Sequence, residues 1–272
     1  MKIYNFLSVA AACSLTLGLA ASCDNISEPD RIQEVEIAPA QRMVVLEEFT
    51  GQNCTNCPEG HDIVHSILDV YPDAFIPVSI HASSFAISED AGGLGTPEGA
   101  EYYLSNGQPA LPSGVVNRQS GNLDRSDWTA AVSRIISLET PLTIGLKATL
   151  DEGGENIDIA VNLLSTSQLD GNLQLWILED NITGYQLDHG VPTFAYTHNH
   201  VLRGAANGTW GEPVSLAEFE PIDVTNTTAV KSSWNPDNLV VVAFLYNDSG
   251  IVNATRVAVK AHGNVDEEDA AE

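Results

Sequence analysis

Residues 43–58 read MVVLEEFTGQNCTNCP. Val44, Val45 and Leu46, followed by Glu47, Glu48 and Phe49, have the apolar density and length of a buried strand, and Thr50 and Gly51 end it. Downstream, Ile63, Val64, Ile67, Leu68 and Tyr71 recur at helical spacing until Pro72 stops the pattern. Cys57 therefore falls at or just inside a helix start, where Pro58 suits the first turn. Phe75 to Ile80 forms a second apolar strand, so strand, helix and strand follow in the order of a βαβ unit. A glycine-rich stretch over 91–99 leads to a helix expected over 98–104. Pro109 to Gly114 then introduces a short strand over 115–117, and Trp128, Val132, Ile135 and Ile136 mark another helix. This α/β region is expected to span 42–140.

From Pro141 the period changes from helical to alternating. Residues 142–150 alternate, Asp151 to Gly154 is turn-like, and Ile157, Ile159, Val161 and Leu163 alternate again, which predicts a hairpin. Further strands are expected over 173–178, 197–202, 223–230, 239–246 and 252–259, separated by Asn, Gly, Asp and Pro clusters. That spacing predicts an all-β region over 141–262 built as an immunoglobulin-like β-sandwich. The fold class expected is thus α/β plus all-β, followed by an acidic disordered tail over 263–272.

At the other end, Lys2 precedes an apolar run from Ile3 to Leu19 that closes on Ala20, Ala21 and Ser22, the tripartite pattern of a signal peptide over 1–22. The segment Leu19 to Cys23 resembles the lipobox of bacterial lipoproteins, although Ala20 rather than a leucine stands three before the cysteine. Cys23 is the expected lipidation site, which implies a membrane partner through its acyl chains. Residues 23–41, with Pro29, Pro39 and few large apolar side chains, read as a tether. Eleven Lys and Arg against 37 Asp and Glu leave a formal charge of -26, which phosphate backbones would repel, so nucleic acid is excluded as a partner.

Of the four cysteines, Cys13 leaves with the signal and Cys23 takes lipid, so Cys54 and Cys57 remain for each other. In an oxidising compartment they form a disulfide or a redox pair. Two readings stand. A cysteine at a helix N-terminus gains thiolate character from the dipole, which would make Cys54 an attacking thiol and Cys57 the resolving one. Against this, no lysine or arginine neighbours the pair in sequence, and a permanent disulfide stapling the helix start uses the same residues. His198 and His200 alternate on a presumed strand as two metal ligands might, but no third ligand accompanies them, and packing is the expected role. His61, His65 and His81 fall near the cysteines in sequence or sheet. Gly92 to Thr96 lacks the lysine of a phosphate loop and reads as a flexible connection. No metal site and no cofactor is called for. Tyr185, Phe194, Tyr196 and Trp210 are the candidates for an exposed aromatic cluster on the sandwich loops.

Taken together, residues 49–52, Cys54 to Pro58 and Pro112 to Arg118 resemble the outer membrane protein twenty-eight related lipoproteins of Gram-negative bacteria. The resemblance extends to Thr197 to Arg203 and Leu239 to Phe244. It implies a thioredoxin-like domain over 42–140, with Pro112 as a cis-proline facing the cysteine pair and catalytic only where the pair is redox-active. Asn53 stands where thioredoxins usually carry tryptophan. The function expected is that of an outer-membrane-anchored lipoprotein, a binding or structural envelope module with a possible protein or peptide partner. The rival is a thiol-disulfide oxidoreductase of the periplasm or cell surface.

Overall fold

The computed structural model describes residues 40–263 of the protein. The signal segment, Cys23, all of the tether before Ala40 and the tail after Gly263 lie outside the described residues. The strands are β1 (Val44–Thr50), β2 (Phe75–His81), β3 (Ser113–Val116), β4 (Leu123–Asp124), β5 (Leu142–Leu150), β6 (Asn156–Ser165) and β7 (Leu169–Glu179). They continue as β8 (Ile182–Asp188), β9 (Val191–His198), β10 (Val201–Ala205), β11 (Glu212–Leu216), β12 (Ile222–Ala229), β13 (Leu239–Asn247) and β14 (Gly250–Ala258). Among the described residues three α-helices accompany them: α1 (Cys57–Val70), α2 (Pro97–Ser105) and α3 (Trp128–Ile136).

The protein is mostly β, with a nine-stranded mixed sheet in the order β14-β13-β7-β10-β2-β1-β3-β4 and β11 added beside β7. A three-stranded sheet β12-β6-β5 and the two-stranded β8-β9 complete it. β1 and β2 pair in parallel, as a crossover through α1 requires, while β3 runs antiparallel to β1. One continuous sheet thus runs from the α/β region into the all-β region. The joint is β10, which meets β2 in parallel at Val201 and Ser79 and β7 antiparallel from Val201 to Ala205.

Strand alternation explains the layers. Along β7, Leu173, Leu175 and Ile177 enter one core with β13's Leu239, Val241, Ala243 and Leu245, and β5 and β6 close that core from the far side. The intervening Trp176 and Leu178, with Val242 and Phe244, enter a second core on the opposite face. That second core continues without a break to Val45, Phe49, Ile76 and Ile80, and Tyr102 of α2 packs into it. A third core holds Val44, Leu46, Phe75 and Val116 under α1 and α3, with Trp128 fully buried in it.

Three expectations need correction. The single strand expected over 197–202 is two strands: His198 closes β9, His200 takes a left-handed φ of 58° in the turn, and β10 starts at Val201. His198 and His200 therefore do not share a strand face. Residues 92–96 form a packed turn rather than a flexible connection, since a Cβ added to Gly93 would lie 2.2 Å from the Ile87 carbonyl oxygen. β8 and β11 carry no strong alternation of large apolar residues, and the sequence reading missed both.

Candidate functional site

Cys54 and Cys57 are joined as a disulfide, with their Cα atoms 5.4 Å apart. The local chain explains why: β1 delivers Gly51 to Asn53 into a tight loop, Cys54 N-H donates to the Gly51 carbonyl, and α1 begins at Cys57 with Pro58 in its first turn. Gly51 is required there, because an added Cβ would lie 2.8 Å from the Phe85 backbone. The peptide between Leu111 and Pro112 is cis, and Pro112 packs beside Gly60 of α1.

The disulfide lies beneath other parts of the chain. Cys54 is 4% exposed and Cys57 is fully buried. On one side the 82–96 loop docks on the cysteine loop, with Asn53 N-H donating to the Phe85 carbonyl at 2.8 Å and Leu94 N-H to Gln52 Oε1 at 3.0 Å. On the other side lies the β8-β9 hairpin. Leu187 N-H donates to the Gln52 carbonyl at 2.7 Å, Gln52 Nε2 donates to the Tyr185 carbonyl, and buried Gln186 donates to the carbonyls of Cys54 and Gly51 at 3.1 and 3.4 Å. A Cβ on Gly190 at the hairpin tip would lie 3.7 Å from Thr55 Cγ2. Arg125 pairs with Glu59 in the first turn of α1.

Below the disulfide, Glu48 of β1 is completely buried against α1, and burial pushes its carboxyl up to about 8. Ser79 Oγ donates to Glu48 Oε2 at 3.3 Å, while Oε1 has no hydrogen-bond partner. Five histidines line the cavity beside it: His61, His65, His81, His198 and His200. His61 bonds Thr50 Oγ1 through Nε2 at 3.1 Å and Tyr196 OH through Nδ1 at 2.7 Å. His198 reaches the Tyr185 carbonyl through Nε2 at 3.2 Å, which makes that nitrogen the donor and leaves Nδ1 as an acceptor without partner. His81 packs edge-on against His198 at 5.4 Å between centroids, and neither of its ring nitrogens has a partner.

Burial, reinforced by the neighbouring imidazoles, lowers His61 to about 3. Burial lowers His198 to about 4, and His81 falls well below its ordinary value for the same reasons as His61. The 3.7 Å separation of His61 Nε2 and Glu48 Oε1 has the length of an ion pair, yet at neutral pH both partners are uncharged. The group encloses a cavity of about 20 Å³, room for one water molecule. Among the described residues no group of three or more His, Cys, Asp and Glu side chains is placed to hold a metal ion.

The residues singled out from the sequence are thus brought together unevenly. Cys54, Cys57, Pro112, His61 and His81 converge, and the hairpin adds Tyr196 and His198. Phe194 stays 77% exposed beside Tyr185, and Trp210 stands apart against Tyr102 at 5.1 Å. Glu48, Gln186 and Arg118 were missed as site residues. The first had a signal: two consecutive carboxylates inside an otherwise apolar buried strand oblige each face of that strand to accommodate one of them.

No helix among the described residues is long and apolar enough to cross a membrane. No curated protein matches the chain. Among solved structures it is similar to HBP35 of Porphyromonas gingivalis, with a TM-score of 0.67 at 17% identity over 83% of this chain and 78% of that one. It is also similar to a domain of the outer membrane lipoprotein Omp28 from Porphyromonas gingivalis, with a TM-score of 0.34 at 24% identity over 45% of this chain and 90% of that one. The first likeness is one of fold. The family described as outer membrane protein Omp28 matches residues 100–263, more than half of the sequence. The chain therefore belongs to the outer membrane protein Omp28 family, and its location is the outer membrane.

Proposed function

We propose that this protein is a lipoprotein anchored through Cys23, a binding or structural module of the envelope, in which the Cys54–Cys57 disulfide is a staple. Its first part, 42–140, is read as thioredoxin-like and its second, 141–262, as an immunoglobulin-like sandwich. Support for the first comes from the strand order β2-β1-β3-β4 with the cysteine pair after β1. Support for the second comes from the core shared by β5, β6, β7 and β13.

The observation that carries the staple reading is burial of the disulfide under the β8-β9 hairpin. A thiol exchanger must offer one sulfur to an incoming thiolate along the S-S axis. Here Cys54 is 4% exposed, and Gln186 and Leu187 hold the hairpin onto its loop. A permanent cross-link closing a short loop needs no such access.

The test is equilibration of the full chain in glutathione and dithiothreitol buffers, with alkylation of free thiols at each potential. A midpoint below about -300 mV is the expected result for a staple. A midpoint between about -120 and -270 mV would overturn it in favour of a thiol-disulfide oxidoreductase, with Cys54 attacking, Cys57 resolving and Pro112 holding substrate.

A further inference from the structure

A second cleft opens on the other face of β1, away from the disulfide. Its floor is an ion pair: Arg118 Nε donates to Glu47 Oε1 at 2.8 Å, with the two side chains 14% and 2% exposed. The guanidinium carbon also lies 4.2 Å from the Tyr246 ring centre, 5.0 Å from Phe244, 5.4 Å from Trp176, 5.8 Å from Tyr102 and 5.9 Å from Trp210. Arg118 Nη2 is buried without a hydrogen-bond partner. Above this floor is an open space of about 280 Å³ bounded by Tyr102, Trp210, Tyr246 and Asn247.

The floor is rigid, and it is held at a conformational cost. Asn117 and Arg118 both take a φ of 54°, a left-handed conformation that non-glycine residues adopt at a cost of roughly 1 kcal/mol or more each. Asn117 is clamped by Val45 N-H donating to its Oδ1 at 2.9 Å and by its Nδ2 donating to the Ile251 carbonyl at 3.0 Å. Gly250 lets β14 approach so closely that a Cβ there would lie 2.4 Å from the Asn117 carbonyl oxygen. At the mouth, Trp210 remains 44% exposed although Tyr102 holds it edge-on. A fixed donor and acceptor pair beneath one exposed indole and the half-buried ring of Tyr246 is how a site is organised before its ligand arrives.

Charge selects the ligand class. The aromatic cage is already filled by the protein's own guanidinium, so a cationic ligand finds its seat taken. Glu47 neutralises Arg118, and a chain of formal charge -26 repels anions. What remains is a neutral molecule that offers hydroxyls to a carboxylate and a guanidinium while presenting C-H surface to an indole. We propose that this cleft binds a single ring of a neutral sugar. The volume is slightly under the ~300 Å³ of the smallest drug-sized pockets, which suits one ring.

The inference gives content to the binding half of the proposed function, but its failure would leave the redox midpoint of Cys54 and Cys57 unaffected. The full chain, kept in a detergent without a sugar head group, is titrated with glucose, galactose, N-acetylglucosamine and their short oligomers. Acetate and tetramethylammonium serve as charged comparators. Saturation-transfer NMR reads the ligand, and the part of the tryptophan fluorescence change that Trp210→Ala abolishes reads Trp210. The expected result is saturable binding of at least one neutral sugar with Kd on the order of 1 mM. Trp210→Ala should weaken it about tenfold or more, and Phe194→Ala should leave it unchanged. Absence of saturation by every sugar up to about 50 mM would overturn the proposal, as would equal competition by acetate or tetramethylammonium on the unmodified protein.

Discussion

Glu47 and Glu48 are consecutive, both buried, and solved in opposite ways. Because side chains alternate across a strand, Glu47 faces the aromatic core and Glu48 faces α1. Glu47 keeps its charge company with Arg118, an ion pair roofed by aromatic rings. Glu48 accepts one hydrogen bond, from Ser79, and the imidazole nearest its other oxygen, His61, is neutral, so burial drives it to hold its proton. Pairing and neutralisation are the two ways a protein tolerates a buried carboxylate, and one dipeptide uses both. The consequence is that one face of β1 depends on an ion pair, and the other depends on pH.

The largest effect expected from breaking this comparison is on the paired side. Glu47→Gln leaves the Arg118 charge buried without an anion and should destabilise the fold by about 3–5 kcal/mol, read by denaturant unfolding at pH 7. A loss under about 1 kcal/mol would mean that the aromatic rings alone support the guanidinium.

On the neutral side the signature is pH dependence. His61 and His198 are lowered to about 3 and 4, and His81 is lowered too, so their contribution is complete above the ordinary value near 6.5 and is lost as pH falls toward the folded values. Glu48 works in the other direction. Its folded value of about 8 lies above the ordinary 4.5, so its contribution is complete below pH 4.5 and is lost as pH rises to about 8. Between pH 4.5 and 6.5 three imidazoles oppose one carboxyl and stability should rise with pH. Above about pH 7 the unfolded imidazoles hold few protons and Glu48 dominates, so toward pH 8 stability should fall by up to ~1.4 kcal/mol per pH unit. A maximum near pH 7 is therefore expected from thermal unfolding across pH, and Glu48→Gln should flatten the alkaline limb and steepen the acid limb. An unchanged alkaline limb in that variant would locate the titrating group elsewhere.

A smaller effect is expected where the hairpin covers the disulfide. Gln186→Ala removes the bonds to Cys54 and Gly51 and should cost about 1–2 kcal/mol. It should also speed reduction by dithiothreitol several-fold, measured by quenched alkylation; an unchanged rate would show that the 82–96 loop is the cover that matters. The smallest belongs to the hairpin's outer face: Phe194→Ser, at a residue 77% exposed, should change stability by no more than about 0.5 kcal/mol.

Most strands and the helices among the described residues were legible because their apolar residues alternate, as along β5 and β6, run on continuously, as along β13, or recur at 3.6 residues, as along α1. β8 and β9 were not. Their residues Thr183, Gly184, Gln186, Pro192 and Thr193 give no alternation, because the hairpin is stabilised by bonds to the cysteine loop rather than by an apolar face. The misreading of 197–202 has the same root: nothing local announces that His200 would turn left-handed between two strands. Arg118 was quoted only as part of a motif, since the five rings around it come from segments up to 128 residues away in the chain.

What the sequence alone determined is what local chemistry determines. Two cysteines three residues apart beside a helix start can close on each other, periodicity places strands and helices, and a net charge of -26 makes the chain one that repels other polyanions. Only the tertiary structure decided that the disulfide would be covered, that Glu48 would keep a proton while Glu47 paired with an arginine 71 residues away, and that Trp210 would overhang that ion pair. Each of these depends on burial and on charges delivered by distant segments, and the cost of a buried charge is set by the surroundings that folding assembles around it.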